Sequence, residues 1–338
     1  MRLFSRSSQL RKVLINMIGI CLVVFSIGMS ISYGATTVDL HTVWQAVFQF
    51  SEGEQAHQVI WELRIPRALS AVLVGAFLAV SGSVMQGMTR NPLASPSIMG
   101  VTDGAAFMLV IILAFYPAVS NVGLMFASFI GAGIAVTLVF LIGSFSSSGL
   151  TPVKLALAGV AIGTLLRSVS SILSLHFQLE RDIGFWLAGG LDGAGWNAIT
   201  LLLVAGAIGI VLALSIAKSI TVLSLGDDLS TGLGQNNTFI KIAGIAVVLI
   251  LTGAAVSVAG SVGFVGLIIP HITRFIIGTD YRWIIPTSAV FGALLLVNAD
   301  LIARIINSPF ETPVGAITSI IGVPFFLYLA RGSGGDRK

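Results

Sequence analysis

Long runs of apolar residues, separated by short polar stretches, make up nearly the whole chain. A run of about twenty apolar residues is long enough to cross a bilayer as a helix. The pattern therefore predicts an all-α, polytopic membrane protein with about ten transmembrane helices. The predicted spans are 13–33, 64–88, 97–117, 121–143, 152–175, 194–217, 238–259, 262–278, 283–304 and 312–330. The apolar run 238–278 is too long for one span, so we expect a break near Gly260.

Part of the stretch from Arg64 to Gly100 recurs later in the chain. At an offset of 178 residues, Leu73–Val84 aligns with Leu251–Val262, and seven of the twelve positions are identical. The two stretches lie an odd number of predicted spans apart, so we expect them to cross the membrane in opposite senses. Inverted repeats are typical of transporters. The sequence thus predicts an inverted internal repeat within a single transmembrane domain, 1–338, although chance similarity between apolar helices is the alternative.

Composition supports the membrane class. Hydrophobic residues make up 56% of the chain and charged residues only 9%, whereas about a quarter of the residues in a soluble protein are charged. The net charge of +4 is small, and nothing indicates a nucleic-acid partner. The single cysteine, Cys21, excludes an internal disulfide and a cysteine-based metal cluster. His176 and His271 each lack a second ligand at metal spacing, so we predict neither a metal site nor a cofactor.

The distribution of lysine and arginine predicts the orientation, because cytoplasmic loops carry an excess of both. With the N-terminus in the cytoplasm, thirteen of these residues fall inside and four outside, while Arg167 falls within a span. Those inside are Arg2, Arg6, Arg11, Lys12, Arg90, Lys154, Lys218, Lys241, Arg274, Arg282, Arg331, Arg337 and Lys338. Those outside are Arg64, Arg67, Arg181 and Arg304. We therefore expect both termini in the cytoplasm, and a first apolar run that is retained rather than cleaved.

The cytoplasmic loop 224–235 is acidic and bounded by glycines, with the sequence S-L-G-D-D-L-S-T-G-L-G over Ser224–Gly234. Its aspartates are expected to cap a short helix with leucines on one face and a glycine at its end. Such a helix suits docking of a partner protein, although a plain connecting loop fits the same residues. The candidate docking residues are Gly226, Asp227, Asp228, Leu229, Leu233 and Gly234.

Eight motifs, taken in order, resemble the permeases of iron-siderophore and vitamin B12 ABC importers, the FecCD type. They are R-I-P-R (64–67), S-G-S-V-M-Q-G (81–87), N-P-L-A-S-P (91–96), F-W-L-A-G-G-L (185–191), L-G-D-D-L-S-T-G-L-G (225–234), G-F-V-G-L-I-I-P-H-I-T-R (263–274), N-A-D-L-I-A-R (298–304) and E-T-P-V-G (311–315). The resemblance covers the chain from about Trp61 to Arg331. It implies ten transmembrane helices in each of two permease subunits, a cytoplasmic ABC ATPase dimer and an extracytoplasmic substrate-binding protein.

The resemblance also implies roles for particular residues. The loop 224–235 would couple the permease to the ATPase, and Arg64, Arg67 and Arg304 would receive acidic residues of the binding protein. Arginine suits this role because its planar donors bind carboxylates in bidentate geometry. Snorkelling to the lipid headgroups is the alternative for each arginine. Asp300 precedes Arg304 by four residues, and an ion pair between them would compete with docking.

Arg167 lies in the predicted span 152–175, where a charge near the bilayer centre costs about 2.5–3.5 kcal/mol on insertion scales. Two interpretations stay open. The side chain faces the translocation path and attracts an anionic ferric chelate, or it forms a structural pair or hydrogen bonds with helix carbonyls. Asp103 is expected to cap the helix or to form a hydrogen bond where the third span begins.

We therefore predict a permease subunit of an ABC importer for an iron-siderophore-type chelate, in the cytoplasmic (inner) membrane of a bacterium. Vitamin B12 and haem are alternative ligands, and the second permease is an identical or a homologous chain. No G-x-x-x-x-G-K-[ST] loop is present, so the chain is expected not to be an enzyme and ATP hydrolysis belongs to a partner. An ion-coupled secondary transporter would need buried carboxylates, for which Asp103, Asp300 and Glu311 are the candidates. An intramembrane enzyme would need a catalytic dyad or a metal cluster, and the sequence offers neither.

Overall fold

The computed structural model describes residues 2–34, 38–144, 152–308 and 310–333, and within these ranges it is helical with no β-strand. A π-helical turn, Ile60–Arg64, joins α3 to α4, and a 3-10 turn, Pro96–Met99, precedes α5. The prediction of an all-α protein is confirmed. The α-helices are α1 (Arg2–Ser32), α2 (Leu40–Phe48), α3 (Gln55–Val59), α4 (Ile65–Thr89), α5 (Val101–Phe115), α6 (Asn121–Ser144), α7 (Pro152–Phe177), α8 (Glu180–Ala188), α9 (Trp196–Leu223), α10 (Asp227–Gly232), α11 (Asn237–Ala259), α12 (Val265–Ile277), α13 (Tyr281–Ile305) and α14 (Val314–Ser333).

Among the described residues, seven helical segments are long and apolar enough to cross a membrane. The longest, Gln55–Thr89, runs without interruption through α3, the π-helical turn and α4. Three shorter apolar helices are Val101–Phe115, Val265–Ile277 and Val314–Tyr328. Together these segments overlap the predicted spans, so ten is an approximate count of the membrane crossings.

Helix α4 lies at the centre of the bundle and packs against α9, α11, α12 and α13. Two glycines allow the closest approaches. Gly75 lies against the backbone of Gly292 and Gly82 against the backbone of Gly266, and a Cβ atom at either position would overlap the carbonyl oxygen of its neighbour. Small residues let helices approach in this way in a membrane, where packing rather than the hydrophobic effect drives their association.

The bundle has two ends with different polar residues. At the end that we call the arginine end, the start of α4 lies beside the ends of α11 and α13, because Arg67 shares a cavity with Val258 and contacts Asp300. At the opposite end, the loop end, the end of α4 lies beside the start of α11 and the segment 224–235. There Arg90 and Lys241 both contact Asp227. Helices α4 and α11 are therefore antiparallel.

The two similar stretches of sequence lie on these antiparallel helices but differ in structure. Leu73–Val84 is helical throughout, whereas Leu251–Val262 continues past the end of α11. Gly260 has φ 63° and ψ −146°, and the chain returns to a helix only at α12. The alignment thus pairs Gly82, a packing contact in mid-helix, with a glycine that breaks a helix. Glycine serves both purposes, so the similarity at this offset does not relate whole elements.

Candidate functional site

The three arginines predicted to dock a partner lie together at the arginine end, but they hold internal partners. Arg64 and Arg304 are only 8% and 6% exposed, and the side chain of Arg67 is 13% exposed. All three side chains are therefore largely buried within the chain. Their role in docking stays a prediction, and their contacts show a second role inside the fold.

Asp300 is fully buried and lies between two of these arginines. Its Oδ1 atom accepts a hydrogen bond from Arg67 Nε at 3.0 Å, and its Oδ2 atom lies 3.1 Å from Arg304 Nε. Arg67 Nη1 also donates to Glu311 Oε1 at 2.7 Å, and the side chain of Glu311 is 47% exposed. The ion pair between Asp300 and Arg304 that the sequence allowed is thus formed. Buried charges persist in proteins when they are paired in this way.

Arg64 and Arg304 also bind the C-terminal end of α1. Arg64 Nη1 donates to the carbonyl oxygen of Ile31 at 2.6 Å, and Arg304 Nη1 donates to that of Ser30 at 3.0 Å. The last carbonyls of a helix have no partner within the helix, and cations near them are stabilising. Sequence reasoning missed this contact because every residue has a carbonyl group, so the sequence carries no signal for it.

The loop 224–235 contains the short helix α10 at the loop end. Gly226 precedes the helix with φ 132°, and Gly234 follows it with φ 80°. Both values lie in the region of φ that favours glycine. Gly226 occupies the N-cap position, so Asp227 and Asp228 stand in the first turn, and the prediction that they cap the helix is corrected.

Asp227 instead anchors α10 to the bundle. Its Oδ2 atom lies 2.9 Å from Arg90 Nη2, and its Oδ1 atom lies 3.1 Å from Lys241 Nζ. Asn237 Nδ2 donates to the buried hydroxyl of Ser230 at 2.7 Å. These contacts hold α10 against the end of α4 and the start of α11, so the loop is a fixed extension of both helices.

Three leucines of this loop are exposed to solvent. Leu225, Leu229 and Leu233 are 64%, 62% and 72% exposed. Leu229 and Leu233 are four residues apart at α10 and its C-cap, which places them on the same side of the helix, whereas Leu225 precedes the helix before Gly226. We call these three side chains the leucine face. Leu225 was missed by sequence reasoning, because it lies outside the short helix and helical spacing does not apply to it.

Further charged groups gather at the loop end. Arg11 Nη2 donates to the carbonyl oxygen of Ile276 at 3.0 Å. Asp280 caps α13 by accepting a hydrogen bond from the backbone N–H of Arg282 at 3.0 Å. Hydrogen bonds from the Arg282 side chain lower the pKa of Asp280 below its ordinary value. Asp280 therefore stays ionised, and available as a cap, to a lower pH than an ordinary aspartate would.

Arg167 and Asp103 form a bidentate pair beside a cavity of about 550 Å³. Arg167 Nε donates to Asp103 Oδ1 and Arg167 Nη2 donates to Asp103 Oδ2, both at 3.1 Å. Asp103 stands in the first turn of α5 and Arg167 on α7. Arg167 therefore forms a structural pair, as one interpretation has it, and also lines a cavity, while its place on the translocation path stays a prediction. Other polar residues that line the cavity are Ser97, Thr102, Ser170, Ser171, Ser174, Glu180 and Ser261.

Gly163 makes room for this pair and was missed by sequence reasoning. A Cβ atom at Gly163 would overlap the Oδ2 atom of Asp103. The glycine stands four residues before Arg167, on the same face of α7. The carboxylate can therefore lie against the α7 backbone next to the guanidinium group. Among the described residues, no cluster of three His, Cys, Asp or Glu side chains is placed to hold a metal ion.

A model of the FecCD transport family matches residues 22–332. The chain belongs to the FecCD transport family.

FecCD relatives cover nearly the full length of the chain. It is 57% identical to the iron(3+)-hydroxamate import system permease protein FhuB of Bacillus subtilis (strain 168), over 94% of this chain and 83% of the relative. It is 46% identical to the iron-uptake system permease protein FeuB of the same organism, over 94% and 95%. A solved structure of a metal-chelate type ABC transporter in an inward-facing conformation superposes with a TM-score of 0.82 at 31% identity, over 94% of this chain and 99% of that one. This FecCD chain is therefore a polytopic membrane permease of the ABC importer class.

The FecCD motifs fall at both ends of the bundle. R-I-P-R (64–67) spans the π-helical turn and the start of α4, and N-A-D-L-I-A-R (298–304) ends α13, both at the arginine end. The loop motif 225–234 contains α10 at the loop end. These three of the eight motifs thus lie on the segments that form the two polar surfaces of the bundle, while 81–87 is buried within α4.

Proposed function

We propose that this FecCD permease is a subunit of a binding-protein-dependent ABC importer that carries a ferric siderophore chelate across the cytoplasmic membrane of a bacterium. The observation that carries the proposal is the leucine face, an exposed apolar surface on a fixed loop at one end of a transmembrane bundle. Exposed apolar patches with polar rims mark sites of protein interaction. The 57% and 46% identical relatives, an iron-hydroxamate permease and an iron-uptake permease, support a ferric chelate as cargo.

The leucine face docks the ATPase dimer on the cytoplasmic side. The loop end carries Arg11, Arg90, Lys241 and Arg282 at contacts described above, and cytoplasmic surfaces carry an excess of such residues. This orientation places the start of α1 in the cytoplasm, and α14 runs in the same direction as α12 towards that side. A movement of the ATPase against the leucine face would pass directly to α4 and α11, because Asp227 is bonded at the junction of both.

The arginine end receives the binding protein, and Arg67 is the arginine that meets it. Its Nη1 atom is held by Glu311, whose side chain is half exposed. A carboxylate of the binding protein would replace Glu311 on this donor, in an exchange of one ion pair for another. Arg64 and Arg304 support the surface from inside through α1 and Asp300.

A second permease subunit, identical or homologous, covers the surface of α7. The side chain of Arg167 is 67% exposed in this single chain, well inside the apolar segment Lys154–Phe177. An arginine exposed to lipid at such a depth is costly, and arginines there usually face a cavity or a partner. The exposed part of Arg167 therefore faces a polar path shared by two permeases.

Two rival functions are less well supported than the proposed one. An ion-coupled carrier needs a buried carboxylate that is free to titrate, but Asp103, Asp300 and Glu311 each pair with an arginine. Import of haem or vitamin B12 uses the same architecture. It is favoured only by less similar relatives, such as the 37% identical hemin transport system permease protein HmuU of Yersinia pestis.

Reconstitution of the permease with its ATPase and binding protein in liposomes tests the proposal. We expect uptake of a radiolabelled ferric trihydroxamate that requires ATP and is lost when the P-loop lysine of the ATPase is replaced. Uptake that is driven by an ion gradient without ATP would overturn the proposal. Uptake of haem or vitamin B12 in place of the ferric chelate would favour the second cargo.

A further inference from the structure

The cavity beside α7 does not carry a net positive charge. The ionisable residues that line it are Arg167, Asp103 and Glu180. Arg167 is already neutralised by the bidentate contact with Asp103. The rest of its polar lining consists of hydroxyl groups, which donate and accept hydrogen bonds without a charge. With Glu180 the lining carries a formal charge of −1, which disfavours an anion, and its hydroxyl groups can bond an uncharged polar ligand.

One hydroxyl group in this lining has no partner within the described part of the chain. The Oγ atom of Ser174 is buried, and it neither donates nor accepts a hydrogen bond within the described residues. Ser174 also lines the cavity. By contrast, Ser170 donates to the carbonyl oxygen of Leu166 within its own helix. Buried polar groups are nearly always bonded, so an unbonded one that lines a cavity points to a ligand or a water there.

We infer that this cavity is a station on the translocation path that accepts an uncharged ferric chelate rich in oxygen acceptors and disfavours an anionic one. The inference rests on the proposed function and adds the charge class of the cargo. A ferric ion bound by three hydroxamates has this character, because the three ligand charges cancel that of the metal. Of the two interpretations of Arg167 that the sequence left open, this inference favours the structural pair over attraction of an anionic chelate.

Release of Arg167 from Asp103 would not create an anion site. The side chain of Asp103 is only 19% exposed and lies against the backbone at Gly163. A guanidinium group that turned to an anionic ligand would leave this carboxylate unpaired and next to a second negative charge. Both effects oppose the exchange.

Binding to the complex of permease and ATPase, without the binding protein, tests the inference by equilibrium dialysis. The probes are a radiolabelled neutral ferric trihydroxamate and the same chelate with one added carboxylate. The quantity measured is the Kd of the anionic chelate divided by the Kd of the neutral one. We expect Asp103→Asn to lower this ratio by about three- to tenfold and Arg167→Gln to raise it by a similar factor, since each leaves one charge of the pair uncompensated.

The double variant Asp103→Asn/Arg167→Gln is the matched control, because it removes both charges of the pair and leaves the formal net charge of the lining unchanged. Its ratio should stay close to that of the parent protein. Single variants that move the ratio in the same direction, or leave it unchanged, would overturn the inference. ATP-dependent uptake by a parent complex that binds neither chelate would overturn it too, while leaving the proposed function intact.

A variant without a charge change gives a second measurement. Ser174→Ala should raise the Kd of the neutral chelate by about two- to tenfold, the loss of one hydrogen bond. Ser168→Ala, on the same helix but outside the cavity lining, should leave it unchanged. Equal Kd values for parent and Ser174→Ala would show that this hydroxyl does not meet the chelate and would overturn the placement of the station.

Discussion

Arg67 Nη2 lies 3.0 Å from the Oδ1 atom of Asp300, although the two residues are 233 positions apart in the sequence. This contact joins the start of α4 to the last turns of α13. Asp300 is fully buried and also pairs with Arg304, which in turn holds the end of α1. The arginines that the family resemblance assigns to a partner thus first connect three helices of their own chain.

Loss of the shared carboxylate should destabilise the bundle. Asp300→Ala leaves the buried charge of Arg304 uncompensated and Arg67 with Glu311 alone, and we expect it to lower the free energy of unfolding by about 3–5 kcal/mol. Glu311→Gln removes only the half-exposed contact of Arg67 and should cost about 0–1 kcal/mol. Unfolding of the purified permease in detergent measures both. Two small and equal effects would show that the network does not stabilise the fold.

Polar substitution of the leucine face should prevent binding of the ATPase and therefore abolish uptake. Leu229→Asp/Leu233→Asp replaces two exposed leucines with charges, so the permease should stay folded in the membrane but lose uptake and ATPase co-purification. Leu40→Asp is the control, because Leu40 is 62% exposed and lies on α2, which packs near the arginine end. Normal uptake and co-purification in the double variant would contradict the assigned role of the loop.

Removal of the internal competitor should strengthen docking of the binding protein. Glu311→Gln frees Arg67 Nη1 from a carboxylate, so we expect half-maximal stimulation of ATP hydrolysis at a several-fold lower concentration of binding protein. The gain should shrink at high salt, because exposed charge pairs are screened. Arg67→Gln should act in the opposite direction. Unchanged titrations for both variants would place the docking contact elsewhere.

The close crossing of α4 and α12 should not tolerate a side chain. Gly82→Ala places a methyl group against the carbonyl oxygen of Gly266, and overpacking of this kind costs about 1–3 kcal/mol. Gly133→Ala is the matched control, since no atom lies within 4 Å of the added methyl group. Thermal unfolding should separate the two variants. Equal stability would mean that the helices move apart without cost.

Several features followed from the sequence because they depend on residues close together in the chain. The length of each apolar run is enough to predict a helix that crosses the membrane. Loop 224–235 was marked by its glycines, its aspartates and the spacing of Leu229 and Leu233. The order of motifs identified the family. Each of these signals lies within one short segment of the chain, and the order of motifs is a series of such segments.

The partners of the charged residues were decided only by the tertiary structure. Asp103 and Arg167 are 64 positions apart, and the sequence could not show that one cancels the charge of the other. Gly82 and Gly260 occupy equivalent places in the sequence alignment, yet one packs in a helix and the other ends one. Apolar spans resemble each other, so the sequence does not state which of them are neighbours. Ion pairs, close glycine contacts and the charge of a cavity all depend on that choice of neighbours.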